Sequence, residues 1–177
     1  MKAGAPDLKP GHATADASAA AASKARLRLW LKLLKATRLV EADLRERLRA
    51  QHATTLPRFD VMAALRRAPD GLRMTELSSE LKVSNGNVTG IVDRLVSEGV
   101  VMRAPVENDR RVMIVRLTPK GCDVFDNLAN EHESWVSGLF GGVSADEARE
   151  LGRALDRISA EAAAHMEAIR SDGGNDK

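Results

Sequence analysis

Apolar residues recur at three- and four-residue steps through the first part of the chain, from Ser23 to about Ala50. This spacing predicts a helix with one apolar face, and Arg and Lys residues occupy the positions between. Such a helix would be about 40 Å long at 1.5 Å per residue, longer than a small domain is wide. We therefore expect part of it to pack against another chain. Residues 1–23 are rich in Gly, Pro, Ala and Ser without periodicity, which predicts a flexible N-terminal tail, with extension of the following helix through the Ala run at 19–22 as the alternative.

Three shorter helical segments are predicted next. The first begins at Thr55-Leu56-Pro57, because Pro is favoured in the first turn of a helix. After a turn at 68–71, the second opens at Met74. Ser84 or Asn85 caps the third, which ends at Gly99.

The hydrophobic period then changes from that of a helix to that of a strand. Residues 100–104 and 112–117 are β-branched runs that flank a polar loop over 105–111, which predicts a two-stranded hairpin. Thr118-Pro119 starts another helix, which should reach about Phe140. The S-x-x-E spacing at Ser144 is a capping box that opens a last helix through Ala168, and a frayed tail follows over 171–177.

Composition narrows the protein class. The chain has 177 residues, of which 44% are hydrophobic, and it contains one Cys. One Cys excludes a disulfide framework and Cys-based zinc spacings, and it fits a reducing compartment. No apolar run approaches the roughly 18 residues of a membrane-spanning helix, and the N-terminal segment lacks the apolar centre of a secretory signal. We expect a soluble, cytoplasmic protein without a membrane partner.

The net charge of +2 conceals an uneven distribution of charge. Residues 24–56 carry a net charge of +6 and residues 57–120 carry +3, whereas residues 121–177 carry −7. A basic first part favours a polyanionic partner for one face, although ordinary charge on helix surfaces explains the same counts.

Two short helices followed by a hairpin with a basic loop are typical of a winged helix-turn-helix. The second helix of such a pair can lie in the major groove of DNA with its first residues against base edges. Asn can pair with adenine, and Ser or Thr can contact bases or phosphates. An Arg one and a half turns further along suits a phosphate contact. The candidate DNA-contacting residues of this helix are Ser84, Asn85, Asn87, Thr89 and Arg94.

The predicted hairpin loop carries a second candidate contact. Arg110 and Arg111 could reach the minor groove, where narrow A·T-rich stretches attract guanidinium groups. Asp109, two residues before Arg111, could hold that side chain extended. The alternative is a surface turn with an ion pair of little energetic value.

The order and spacing of these motifs resemble the MarR family of bacterial transcriptional regulators. The resemblance covers about residues 24–170, and its most specific part is the D-x-R sequence of the wing followed by V-R-L-T-x-x-G. The matching residues are Leu81-x-Val83-Ser84, Val88-Thr89, Val92-Asp93-Arg94-Leu95, Asp109-x-Arg111 and Val115-Arg116-Leu117-Thr118-x-x-Gly121.

The resemblance implies a mainly helical fold with a small β-hairpin wing, in which long dimerisation helices flank a winged helix-turn-helix. Residues 24–54 would form an N-terminal dimerisation helix, 55–120 the DNA-binding lobe and 121–170 the C-terminal dimerisation helices. Residues 85–97 would form the recognition helix, Arg94 would contact the DNA backbone, and Arg111, steadied by Asp109, would read the minor groove. A departure from the family pattern is the presence of Gly86 and Gly90 in that helix.

The family further implies a homodimeric repressor that binds a pseudo-palindromic operator and is released by a small effector, often an aromatic acid. Parts of the sequence, including 54–60, also resemble a subgroup that controls aromatic-acid and hydroxycinnamate degradation, some of whose members respond to coenzyme A thioesters. For each effector candidate, core packing or a solvated helix face is the alternative. The candidates for the effector pocket are Trp30, Leu34, Arg38, Phe59, Met62, His132 and Trp135.

The sequence also bears on four other functions: oxidant sensing, metal binding, protein binding and catalysis. Cys122 lies in a first helical turn, where a thiol pKa is lowered, so an oxidant-sensing regulator is an alternative to a small buried side chain. The four His residues are scattered, and we expect no metal and no cofactor. A winged helix that binds another protein is a further alternative. No catalytic motif stands at a recognisable spacing, so we do not expect an enzyme.

Overall fold

The structure is a computed structural model that describes residues 11–106 and 109–172, apart from the side chains of residues 11–17, 85, 106, 109–111 and 172. Within these residues the chain is mainly helical with a small antiparallel sheet, as the sequence predicts. The elements in chain order are α1 (Gly11–His52), α2 (Leu56–Arg67), β1 (Leu72–Arg73), α3 (Met74–Leu81), α4 (Asn85–Ser97), β2 (Val101–Val106), β3 (Asp109–Leu117), α5 (Pro119–Leu139) and α6 (Ala145–Asp172).

Helix α1 begins earlier than the sequence pattern predicts. It starts at Gly11, so residues 11–23 are helical, and the flexible tail predicted for them is wrong over this range. The reason is that hydrophobic periodicity reports burial, whereas Ala-rich sequence favours helix even where every side chain is exposed. The described side chains of residues 18–32 are indeed exposed.

The core of the first unit follows the predicted apolar stripes. Leu48 of α1 and Leu77 of α3 are fully buried with the inner faces of α2 and α4. Helices α2, α3 and α4 therefore pack against one another as the three-helix core of a helix-turn-helix. The fully buried side chains are Leu48, Val61, Leu65, Leu77, Val88, Val92, Leu95, Val101 and Val115.

The sheet has three strands rather than the predicted two, in the order β1-β3-β2. Strand β1 has two residues, Leu72 opposite Val115 and Arg73 opposite Ile114, and is too short to produce a visible alternation in the sequence. The turn before it requires glycine, since Gly71 has a φ of +91° and a Cβ there would lie 2.8 Å from the Val115 carbonyl oxygen.

The described chain divides into two compact units, one ending at His132 and the other beginning at Glu133. The predicted boundary after residue 120, between the DNA-binding lobe and the C-terminal dimerisation helices, stays a prediction. Phe125 and Leu128 of α5 are buried, and the Phe125 ring centroid lies 5.4 Å from that of Phe59 on α2, so the first half of α5 belongs to the core of the first unit.

Helix α6 forms most of the second unit. Its predicted capping box is confirmed: the Ser144 backbone N–H donates to Glu147 Oε2 at 2.9 Å, and the Glu147 N–H donates to Ser144 Oγ at 3.3 Å. The Ser144 hydroxyl also donates to Glu147 Oε2 at 2.7 Å, and this hydrogen bond, together with that from the Ser144 N–H, lowers the pKa of the Glu147 carboxyl.

Candidate nucleic-acid interface

Helix α4 is held by one face and exposes the other. Val88, Val92 and Leu95 recur at helical spacing and are fully buried against the core. On the remaining surface, Asn87, Thr89 and Arg94 are exposed, as is Ser84 immediately before the helix. The buried stripe fixes the helix in place, so these side chains are held on the part of the helix surface that faces solvent.

The N-terminus of α4 presents polar groups outward. Ser84 is the N-cap residue with extended backbone (φ −66°, ψ 145°), and its side chain makes no capping hydrogen bond. Its carbonyl oxygen accepts from the N–H groups of Asn87 at 3.1 Å and Val88 at 3.3 Å. Helix N-termini favour phosphate because their first N–H groups and their dipole face outward. The Asn85 side chain, also a predicted contact, lies outside the described residues.

Two acidic groups near α4 are matched by cations. Asp93 Oδ1 accepts from Arg103 Nη2 of β2 at 2.6 Å, which links the recognition helix to the wing. Glu98 accepts from both terminal nitrogens of Arg58, with the Nη1–Oε1 distance at 2.8 Å, and this guanidinium lowers the pKa of Glu98. Arg94 makes no ion pair with a described residue, so it is the basic group of α4 whose charge remains available to an external anion.

These two ion pairs were not predicted from the sequence. Arg103 lies 10 positions after Asp93, and Arg58 lies 40 positions before Glu98, so neither pair follows the three- or four-residue spacing that marks contacts within a helix. The alternation of residues along β2 indicates that Arg103 is exposed, but it does not indicate its partner.

The structure places the backbone of the predicted wing residues at the start of β3. Val106, the last residue of β2, pairs with Asp109, and an irregularity in register occurs between Pro105 and Val106. Arg110 and Arg111 follow directly in β3. The strands therefore extend further into the predicted 105–111 loop than the sequence pattern indicates. The predicted contact between Asp109 and Arg111 lies outside the described side chains and stays a prediction.

Part of the predicted effector set meets in the core of the first unit. Phe59 and Met62 are buried, and the His132 ring stacks on Phe59 with centroids 4.4 Å apart. Burial lowers the pKa of His132, because removal from water disfavours the charged imidazolium. Met62 also lines a cleft of about 390 Å³ beside His52 and Glu98.

The other predicted effector residues lie apart from this cluster. Trp30 is 57% exposed, Arg38 is exposed and Leu34 is half-buried, all on α1. Along the helix axis, Trp30 lies about 21 Å before Leu44, the first buried residue among the described side chains of α1, at 1.5 Å per residue. Trp135 belongs to the second unit. Whether these residues join one pocket stays a prediction.

Comparison with known proteins identifies the family. Residues 54–113, which span the helix-turn-helix and the start of the wing, match the model of the MarR family. A MarR family transcriptional regulator from Silicibacter pomeroyi is 36% identical and superposes with a TM-score of 0.66, covering 78% of this chain and 96% of that one. The chain belongs to the MarR family. The winged helix-turn-helix predicted from the sequence is thereby confirmed.

Two further similarities bear on function. PecS, a transcriptional regulator of Dickeya dadantii, is 30% identical over 102 residues, which cover 56% of this chain and 61% of PecS. The match thus spans about three fifths of that relative. A mutant MarR from E. coli complexed with operator DNA is 28% identical, with a TM-score of 0.65 and coverage of 74% of this chain and 93% of that one. The relatives named here are described as transcriptional regulators, and the E. coli MarR structure contains operator DNA.

Other predicted features can be located in the structure. Cys122 is half-buried in the first turn of α5, and its redox role stays a prediction. The described residues contain no group of three or more His, Cys, Asp or Glu side chains arranged to hold a metal ion. Among the described helices, none has the length and apolar character needed to cross a membrane.

Proposed function

We propose that this chain is a DNA-binding transcriptional regulator that acts as a homodimer on a pseudo-palindromic operator. The observation that carries the proposal is the geometry of α4, whose buried face anchors it while Ser84, Asn87 and Arg94 are exposed on its outer surface. The similarity to the MarR structure with operator DNA supports the same assignment. In the proposed complex, Asn87 and Thr89 contact bases, Arg94 contacts phosphate, and Arg110 and Arg111 reach the minor groove.

Exposed apolar side chains on the two long helices support a homodimer. On α1, Leu27, Trp30 and Leu31 are each more than half exposed. Solvated apolar stripes of this length are typical of surfaces buried by another chain. Each unit of the chain offers such a stripe, and that of α6 comprises Leu151, Leu155, Ile158, Met166 and Ile169.

We also propose that the regulator represses until a small organic acid, aromatic or carried as a coenzyme A thioester, releases it. The residues proposed to bind this effector are Trp30, Leu34, Arg38, Phe59, Met62, His132 and Trp135, with those on α1 contributed across the dimer. Effector binding would favour a conformation whose two recognition helices no longer match successive grooves. Calorimetric titration with a panel of aromatic acids and their thioesters tests this part, and an absence of heat across the panel would contradict it.

The decisive experiment for DNA binding is a titration of duplex DNA with the full chain. The probe is an inverted repeat from upstream of the gene, with half-sites centred about 10 bp apart, and the readout is fluorescence anisotropy at several salt concentrations. We expect two chains per duplex, a marked preference over a scrambled duplex, and log K falling by about 0.9 per neutralised phosphate as log salt rises. Binding that is weak, lost at modest salt and indifferent to sequence would instead favour a winged helix that binds protein.

A further inference from the structure

The middle of α1 carries four cations on one face of the helix. Lys24, Arg28, Lys32 and Lys35 follow one another at three- and four-residue steps, so they lie within about 80° of one another around the axis at 3.6 residues per turn. All four side chains are exposed. We call this surface the α1 basic face. It is about 16 Å long at 1.5 Å per residue.

The charges of the α1 basic face are not matched within the described part of the chain. Residues 17–40 contain no Asp or Glu, and none of the four cations makes an ion pair with a described residue. After residue 40 the pattern reverses, because each Arg of α1 there follows an acidic residue by three or four positions and pairs with it. These pairs are Arg45–Glu41 at 2.6 Å, Arg47–Asp43 at 2.5 Å and Arg49–Glu46 at 2.8 Å.

The α1 basic face points away from the surface through which α1 packs. Leu44 and Leu48 are buried in the core of the first unit. Both lie about 160° around the helix from the centre of the α1 basic face. Trp30, proposed above as part of the homodimer surface, lies on the same side as Leu48, since 18 residues make five complete turns. A second copy that covers Trp30 therefore leaves the α1 basic face exposed.

Duplex DNA is the partner whose charge this face matches. Successive cations are about 4.5–6 Å apart along the helix axis, and each DNA strand carries a phosphate about every 3.4 Å. The long, flexible side chains of Lys and Arg can adjust to the remaining difference in spacing. The competing occupant is α6 of a second copy. Over 28 residues, that helix carries seven acidic residues and also four arginines, and its Asp146 already pairs with Arg149. Its density of negative charge is therefore much lower than that of DNA.

We propose that the α1 basic face binds the phosphate backbone of duplex DNA, separately from the contacts of α4 and the wing. Salt screens exposed charges beyond about 10 Å at 0.1 M, so the four cations act only on phosphates that they approach closely. Contacts with phosphate carry no base information, and the face therefore adds affinity for any sequence. Its contribution to operator binding rests on the proposed function, whereas the phosphate contact itself requires only a duplex.

The test compares the full chain with a variant in which glutamine, which has a similar helix propensity, replaces the four cations. The substitutions are Lys24→Gln, Arg28→Gln, Lys32→Gln and Lys35→Gln. The matched control removes the same number of charges from α6, through Arg149→Gln, Arg153→Gln, Arg157→Gln and Arg170→Gln.

Fluorescence anisotropy with a scrambled duplex of about 40 bp gives log K against log salt for all three proteins. Loss of at least two phosphate contacts should make the slope of the basic-face variant shallower by at least about 1.8. The slope of the α6 control should stay within about 0.5 of the parental value, because its arginines lie outside the proposed contact.

A second measurement uses the parental chain and needs no variant. Acetylation of lysine side chains is followed by mass spectrometry with and without the scrambled duplex. DNA in excess should slow the acetylation of Lys24, Lys32 and Lys35 at least about threefold, since a lysine held against phosphate is shielded from the reagent. A series of protein concentrations without DNA should leave these rates unchanged, because the face is exposed in the proposed homodimer.

Several outcomes would overturn the inference. These are equal slopes for the two variants, or lysines that DNA does not protect. A parental slope with a weaker dimer in sedimentation equilibrium would assign the face to α6 of a second copy. If the chain shows no preference for the inverted repeat while the basic-face variant still lowers the slope, the proposed function fails and the inference stands. A preference for the inverted repeat with equal slopes has the opposite meaning.

Discussion

Replacement of Gly121 by alanine should destabilise the junction between the wing and α5. Gly121 lies in the first turn of α5 and is buried. A Cβ at this position would overlap the Val100 carbonyl, with the carbonyl carbon 2.8 Å away, and would approach Leu117 Cδ2 to 3.3 Å. The Val100 oxygen is backbone and already accepts from the Thr118 N–H at 3.1 Å, so neither partner can move alone.

The magnitude follows from the contacts that must shift. The Thr118 hydroxyl donates to the Gly99 carbonyl at 2.8 Å and accepts from the Gly121 N–H at 3.0 Å, so displacement of the first turn strains both hydrogen bonds. Overpacking costs about 1–3 kcal/mol, and each weakened hydrogen bond about 0.5–1.5 kcal/mol. The higher helix propensity of alanine relative to glycine offsets at most about 1 kcal/mol of this cost. We therefore expect a net loss of about 1–6 kcal/mol in the free energy of unfolding.

The assay is urea unfolding followed by far-ultraviolet circular dichroism at one fixed protein concentration, since a dimer's stability depends on concentration. The control is Gly138→Ala in the same helix, where a Cβ meets nothing within 4 Å. That variant should be as stable as the parent or up to about 1 kcal/mol more stable. Equal midpoints for Gly121→Ala and Gly138→Ala would refute the reasoning, because helix propensity alone would then account for both.

Three further predictions concern DNA binding, pH and assembly. Arg94→Ala should reduce the slope of log K against log salt by about 0.9 through loss of one phosphate contact, and Arg111→Ala should cost at least about 1 kcal/mol in operator affinity at fixed salt. Anisotropy titrations measure both against Arg170→Ala on α6, and parental binding by either variant would contradict its role. Because burial lowers the pKa of His132, its contribution to the free energy of unfolding should be fully present above the unfolded pKa of about 6.5 and should be lost as the pH falls through the folded pKa. The urea midpoint of His132→Gln should therefore change less between pH 7 and pH 5 than that of the parent. The same pH dependence in both proteins would contradict this. Trp30→Asp should raise the dimer dissociation constant at least about tenfold in sedimentation equilibrium, and an unchanged constant would exclude Trp30 from the interface.

The helices and the recognition face could be predicted because their signals are local. The stripe Val88, Val92 and Leu95 repeats at helical spacing, and burial of that stripe determines which side chains of α4 remain exposed. Strand β1 could not be predicted, since two residues carry no period and Leu72 is held by pairing with Val115, far away in sequence. The start of α1 was missed for the opposite reason, because an exposed Ala-rich helix has no apolar stripe to detect.

The candidate ligand sites depended on distant contacts and were the least predictable. One cleft beside α4 is lined by residues from the start of α2 and by residues of α4, and no spacing in the sequence predicts that they lie together. Gly86 and Gly90 could be recognised in the sequence as a departure from the family pattern, but the open space beside them could not. The pocket expected around Trp30 combines exposed residues of α1 with buried residues of α2, and it stays a prediction.

The ion pairs of the DNA-binding lobe determine which of its cations remain available to a phosphate. Residues 57–120 carry a net charge of +3, which is modest for a surface that meets a polyanion. Several of the lobe's cations are already matched by carboxylates, so they hold elements together and contribute little net field to a distant phosphate. The attraction should then depend on a few positions, among them Arg94, which makes no ion pair with a described residue, and the wing arginines proposed to reach the minor groove. Operator affinity should therefore respond sharply to single substitutions at those positions and weakly to loss of a paired arginine, except where that loss loosens the fold. The matched pairs are Arg58–Glu98, Arg66–Asp126, Arg67–Glu80 and Arg103–Asp93.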